Sequence, residues 1–251
     1  CGVSLWSVRN CFEKNDFDAL DAFLIYFQNT MLQMRNSKLP VIAAPVGMSI
    51  GGGFEVVLHA DHVVGHANSV MGLVESFMGV VPAGGGCKET LYRWSESLGD
   101  GRKGAWKSFM NIGLGRKANS PQEADALSMR RANDVFHMNR DRILTDALSS
   151  IETTSKAKAR NPLALSGVDH FEEMLEWLTT NHKNGMLTPH DVTVGTEIGR
   201  IMTGGNCASG TIFTEQDILD AERSSFLTLA QTQETQARIV SMLDNGITLR
   251  N

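Results

Sequence analysis

Between residues 16 and 38, apolar side chains fall at Phe17, Leu20, Leu24, Phe27, Met31 and Met34. A spacing of three and four predicts an amphipathic helix, and Pro40 stops it. Residues 41–44 form a continuous apolar run of strand length, and Met48–Ile50 is a second strand piece beyond Pro45. Gly51, Gly52 and Gly53 then lead into 54–59, which reads as a helix with its N-terminus at the glycines. Residues 62–64 and 70–72 read as further strands. Residues 39–72 therefore alternate strand, helix and strand in the α/β manner.

A second glycine cluster, Gly84 to Gly86, opens a helix that runs through Arg93. Ser120-Pro121-Gln122-Glu123 places an N-cap serine, a first-turn proline and a glutamate three residues after the cap. Residues 134–136 read as a last strand. From 139 onward the pattern is helical, with helices expected at 139–158, 169–184, 189–203 and 215–245. Gly185, Gly204 and Gly246 stand just past three of them, and Thr188-Pro189 and Thr214-Glu215 are helix starts. Two regions follow: a mixed α/β core over 1–137 and a helical C-terminal extension over 138–251.

The chain has 251 residues and a formal net charge of −5. Its basic residues are scattered, with Arg130-Arg131 one adjacent pair in the middle, so charge gives no reason to expect a nucleic-acid partner. Cys1, Cys11, Cys87 and Cys207 are far apart and form no Cys-x-x-Cys pair, which points to a reducing, cytoplasmic setting. The most apolar stretch, 41–58, is interrupted by Pro45, four glycines and Glu55; it reads as buried core, not as a membrane span. The chain begins at Cys1 without a methionine and reads from the start like the inside of a domain. A piece of a longer protein is expected, with the natural N-terminal part missing.

The glycine triplet and two carboxylates carry the candidate chemistry. Backbone amides aimed at a thioester oxygen stabilise its enolate by about 3 kcal/mol each, and a side chain there would block approach. Glu55 falls in the first turn after the glycines, and Glu75 lies between a strand and the second glycine cluster. In an apolar pocket such a pair couples, one acid held toward its protonated form and the other ionised. That division suits adding water across a double bond. The same residues also fit a tight strand-to-helix turn, a dipole-favoured helix start and a loop charge.

His59, His62 and His66 beside Asp61 do not share one helix face, so no metal site is expected. Neither a dinucleotide fingerprint nor a Walker loop is present. Cys87, at a helix N-terminus without a histidine near it in sequence, reads as a buried structural thiol.

The segment PVIAAPVGMSIGGGFEVVLHADHVV, followed by GLVESFMGVVPAGGG, resembles the crotonase (enoyl-CoA hydratase/isomerase) superfamily. The resemblance runs from about residue 2 to 135. It implies a ββα spiral that binds acyl-CoA thioesters. It places one oxyanion amide on Gly52, the second on Val3, and the two hydratase glutamates on Glu55 and Glu75. Retention of both favours hydratase. Val74 departs from the proline common before the second glutamate, and Gly86-Cys87-Lys88-Glu89 replaces the usual Gly-Thr-Gln-Arg. The last helix resembles the end of long bacterial 3-hydroxyacyl-CoA dehydrogenase/hydratase fusion proteins. Acyl-CoA is then the substrate, no cofactor belongs to this chain, and NAD is expected only for an absent dehydrogenase part. A homo-oligomer and a thiolase are the further partners implied. Two other readings stand beside hydratase: a Δ3-Δ2-enoyl-CoA isomerase using Glu75 alone, and a non-catalytic acyl-CoA-binding or docking module.

Overall fold

The computed structural model describes residues 2–157 and 159–251. Two helices come first, α1 (Leu5–Glu13) and α2 (Phe17–Asn36). The Asp16 side chain accepts the Ala19 amide at the start of α2, and Leu20, Leu24 and Met31 form its buried stripe. The helix was expected; α1 was not.

The chain then alternates between two small sheets. β1 (Ile42–Ala43) joins the first sheet, and β2 (Met48–Ile50) joins the second beyond Pro45. α3 (Gly52–His59) follows. The next pass repeats this order: β3 (His62–His66) pairs parallel with β1, and β4 (Val70–Gly72) pairs parallel with β2. A 3-10 turn over Glu75–Met78 and α4 (Gly86–Leu98) complete that pass. Each pass thus gives one strand to each sheet and then a helix, which is the ββα spiral read from the sequence. α5 (Gly101–Gly113), β5 (Lys117–Ala118), α6 (Pro121–Ala126) and β6 (Val135–His137) close the spiral. β5 pairs antiparallel with β4, and β6 parallel with β3.

The C-terminal region departs from the expected run of helices. α7 (Ile143–Ser150) ends well before 158. β7 (Leu163–Ala164) and β8 (Ile212–Phe213) form an antiparallel ribbon around α8 (Val168–Lys183) and α9 (Pro189–Thr203). The expected helix over 215–245 is two, α10 (Glu215–Ala230) and α11 (Gln233–Asn245). Thr232 makes the break by capping α11, its side chain accepting the Thr235 amide.

Buried apolar residues on both sides of residue 137 belong to one continuous cluster, from Val8 through Leu58, Phe109 and Met174 to Ile239. Gln28 ties three segments together across it. Its Nε2 donates to the carbonyls of Ala83 at 2.9 Å and Leu219 at 2.8 Å, joining α2 to the second glycine turn and to α10.

Candidate active site

The first glycine turn is built by backbone geometry. Gly51 precedes α3 with φ 56° and ψ −134°, a conformation that favours glycine. Its amide donates to the Gly72 carbonyl at 2.9 Å, tying the ends of β2 and β4. The first amides to turn inward along α3 are those of Phe54 and Glu55, which donate to the Gly51 carbonyl. Gly52 stands ahead of them at the helix N-terminus, with the positive end of the helix dipole behind it.

The segment Gly2-Val3 runs alongside this turn. A Cβ on Gly2 would sit 2.9 Å from the Gly52 nitrogen, and one on Gly52 would sit 3.3 Å from the Val3 nitrogen. The two amides named for an oxyanion are therefore neighbours, although about fifty residues separate them in the chain.

Glu55 projects from the first turn of α3 and is buried. Its Oε1 accepts two amides of the second glycine turn, Gly84 and Gly86, both at 2.8 Å. Burial pushes its carboxyl up to about 7, against the pull of the Gly86 and Gly84 amides and of Lys88. Glu75 opens the 3-10 turn, its Oε1 3.2 Å from where a Cβ on Gly51 would stand. Its Oε2 is buried and has no hydrogen-bond partner among the described residues. Burial and then the charge of Glu55 raise the Glu75 carboxyl well above the usual carboxylate range. The two acids thus sit differently: two backbone amides favour the ionised form of Glu55, and the Glu75 Oε2 has no such donor.

Val3, Gly52, Glu55 and Glu75 line one cavity of about 630 Å³, whose other walls are largely apolar. The structure brings all four sequence-expected residues to one place.

The other candidates lead elsewhere. His59 is buried, which pushes its imidazole down to about 3. Its Nδ1 lies 2.7 Å from the Glu55 carbonyl, which can only accept, so Nδ1 carries the proton. Nε2 then accepts from Lys88 Nζ at 3.1 Å. His62 faces Asp134, and His66 faces the Met138 carbonyl. Among the described residues no three metal-binding side chains converge. Cys87 is fully buried, and burial pushes its thiol well above the ordinary range. A thiol so held is a poor nucleophile.

Sequence reasoning missed one acid at this site. Glu222 on α10 is fully buried, and its carboxyl accepts the amides of Gly85 at 2.8 Å and Lys88 at 2.6 Å. A local signal was present: Ile218, Leu219, Ser225, Phe226 and Leu229 are the buried stripe of α10, and Glu222 falls in the middle of it.

Known proteins resemble this chain in sequence and in fold. Residues 13–98 match the family model for enoyl-CoA hydratase/isomerase. The whole chain superposes on an enoyl-CoA hydratase from Rhodobacter sphaeroides 2.4.1 with a TM-score of 0.65 at 15% identity, covering 74% of that chain. It superposes over 96% of its length on an enoyl-CoA hydratase from Bacillus halodurans, which it covers to 75%, with a TM-score of 0.59 at 15% identity. The architecture is thus the crotonase fold. In sequence, the full chain is 30% identical over 254 residues to a "Probable 3-hydroxyacyl-CoA dehydrogenase" of Bacillus subtilis (strain 168). The chain spans 32% of that relative's length. The family match covers residues 13–98, and over the whole chain the likeness to these hydratases is one of fold. No helix among the described residues is long and apolar enough to cross a membrane.

Proposed function

We propose that this chain is an enoyl-CoA hydratase module of fatty-acid β-oxidation, carried in a protein of the 3-hydroxyacyl-CoA dehydrogenase kind. The observation that supports it most is the pair of buried acids, one held by two backbone amides and the other with an unpartnered oxygen, beside two neighbouring backbone amides in one apolar cavity. The Gly52 and Val3 amides would hold the thioester oxygen of a trans-2-enoyl-CoA. Ionised Glu55 would align a water molecule and take its proton as the water oxygen bonds to C3. Protonated Glu75 would deliver its proton to C2. The product is a 3-hydroxyacyl-CoA, and passing one proton from Glu55 back to Glu75 resets the pair. Acyl-CoA is the substrate, and the step draws on no cofactor. An isomerase would need one acid only, so a buried Glu55 held by two amides favours hydration.

Glu55→Gln and Glu75→Gln are each expected to lower kcat by about 100-fold or more while KM changes little. Loss of enoyl-thioester absorbance with crotonyl-CoA measures this. Hydration at the parent's rate by either variant would refute the role given to that residue. Formation of a 2-enoyl product from a 3-enoyl-CoA, without hydration, would favour the isomerase. The kcat of the parent should rise with pH through about 7 as Glu55 ionises, and fall once Glu75 loses the proton it delivers.

A further inference from the structure

The glycine turn that holds Glu55 carries a second carboxyl group on its remaining amides. Gly84 and Gly86 donate to Glu55, while Gly85 and Lys88 donate to Glu222. The two acids come from α3 and α10 and grip alternate peptide groups of one short turn. Three successive glycines make the most flexible backbone a chain can have, so the aim of these amides needs an external hold. α4 has Gly85 at its N-cap and no capping side chain of its own. Elsewhere in the chain Ser120, Thr188 and Thr214 cap their own helices locally. At α4 the fold instead buries a carboxyl group from a distant helix, although desolvating it is costly.

We propose that Glu222 is a positioning residue for catalysis: by accepting the Gly85 and Lys88 amides, it fixes the glycine turn so that the Gly84 and Gly86 amides stay on Glu55. The inference rests on the hydratase reading. Held amides favour the ionised form of Glu55, the form that takes a proton from water. The titratable groups facing Glu222 are Glu55 on α3 and Cys87 and Lys88 on α4. Glu55 also faces Glu75, and Lys88 is paired with Glu215 and Glu89 and bonded to His59.

Glu222→Gln offers one accepting oxygen and turns an amino group toward the other amide, so one grip is lost. On crotonyl-CoA, kcat should fall by about 10- to 100-fold with KM within about twofold. The acid limb of the kcat profile should move to higher pH, because Glu55 loses amide support. Arg223→Ala, which breaks an ion pair from the same helix to Asp21, should leave kcat and the limb in place. In the parent, hydrogen exchange at Gly84, Gly85, Gly86 and Lys88 should proceed as one unit; this reading stands even where the variant fails to fold. An active parent whose folded Glu222→Gln variant keeps its kcat and acid limb would overturn the inference. Exchange at Gly85 and Lys88 while Gly84 and Gly86 stay protected would overturn it too. A parent inert toward crotonyl-CoA would instead sink the hydratase reading.

Discussion

A Cβ added at Gly52 would stand 3.0 Å from Val3 Cγ2 and 3.3 Å from the Val3 amide nitrogen, in the space where a thioester oxygen would meet both amides. Gly52 already has the backbone of a first-turn helix residue, so alanine adds no backbone strain there, and Val3 has to give by a few tenths of an ångström. Gly52→Ala is therefore expected to lower kcat by about 100- to 1000-fold while the melting temperature stays near the parent's. Full activity in that variant would remove Gly52 and Val3 from the oxyanion role. Gly84 is tighter still: a Cβ there would overlap the Phe27 ring and come within 2.8 Å of Glu55 Oε2. These residues were readable because their chemistry is local. Glycines in a row before an apolar helix and a glutamate in its first turn are visible in the sequence. The partner of Glu222 lies 137 residues away, and an acid in a helix reads as solvent-facing unless its place in the apolar stripe is counted.

At the scale of elements, helix starts are where local chemistry stabilises most plainly. Thr214 caps α10 through a capping box with Asp217, both side chains bonded to each other's backbone amides. Thr214→Ala should cost about 1 kcal/mol in urea unfolding and leave kcat unchanged; an unchanged unfolding midpoint would show that tertiary packing holds this end. Elements with strong periodicity or punctuation were legible: α2 from its stripe, α3 from the glycines, and α6 from Ser120-Pro121. α5 was not, since Gly101, Gly104 and Gly113 interrupt its pattern. Gly104 is there because α4 crosses close by; a Cβ on it would come within 2.7 Å of the Ser95 backbone. The α10–α11 break was hidden because no glycine or proline marks it. The β7–β8 ribbon was hidden too, because its two-residue strands are defined by a partner far along the chain.

For the molecule as a whole, the acids that make the site should set how stability responds to pH. Glu55, Glu75 and Glu222 all have carboxyls raised by burial. Between the ordinary value of 4.5 and about 7, the folded chain keeps a proton on Glu55 that the unfolded chain has released. Stability from that proton is full below 4.5 and lost as pH rises through about 7. The loss is on the order of 3 kcal/mol for a shift of this size. Glu75 and Glu222 extend the decline to higher pH. Asp61 works oppositely: burial would raise it, but Lys156 and the Ala157 and Val41 amides hold it low, so its contribution is lost on acidification. Urea unfolding should therefore show lower stability at pH 9 than at pH 6, and Glu75→Gln should flatten the difference. A profile equally steep in that variant would mean that Glu75 does not carry a raised carboxyl.

Both hydrogens of the Gln28 amide are committed, one to a carbonyl 55 residues away and the other to a carbonyl 191 residues away. As the chain is synthesised, α2 and the second glycine turn emerge well before the second carbonyl, which lies on α10. Such long-range closures form late in folding, after local helices and turns. The two acids proposed for the chemistry are thus made long before the segment that closes the pocket around them. Proteolysis within α10 is expected to open the pocket with both acids still in place.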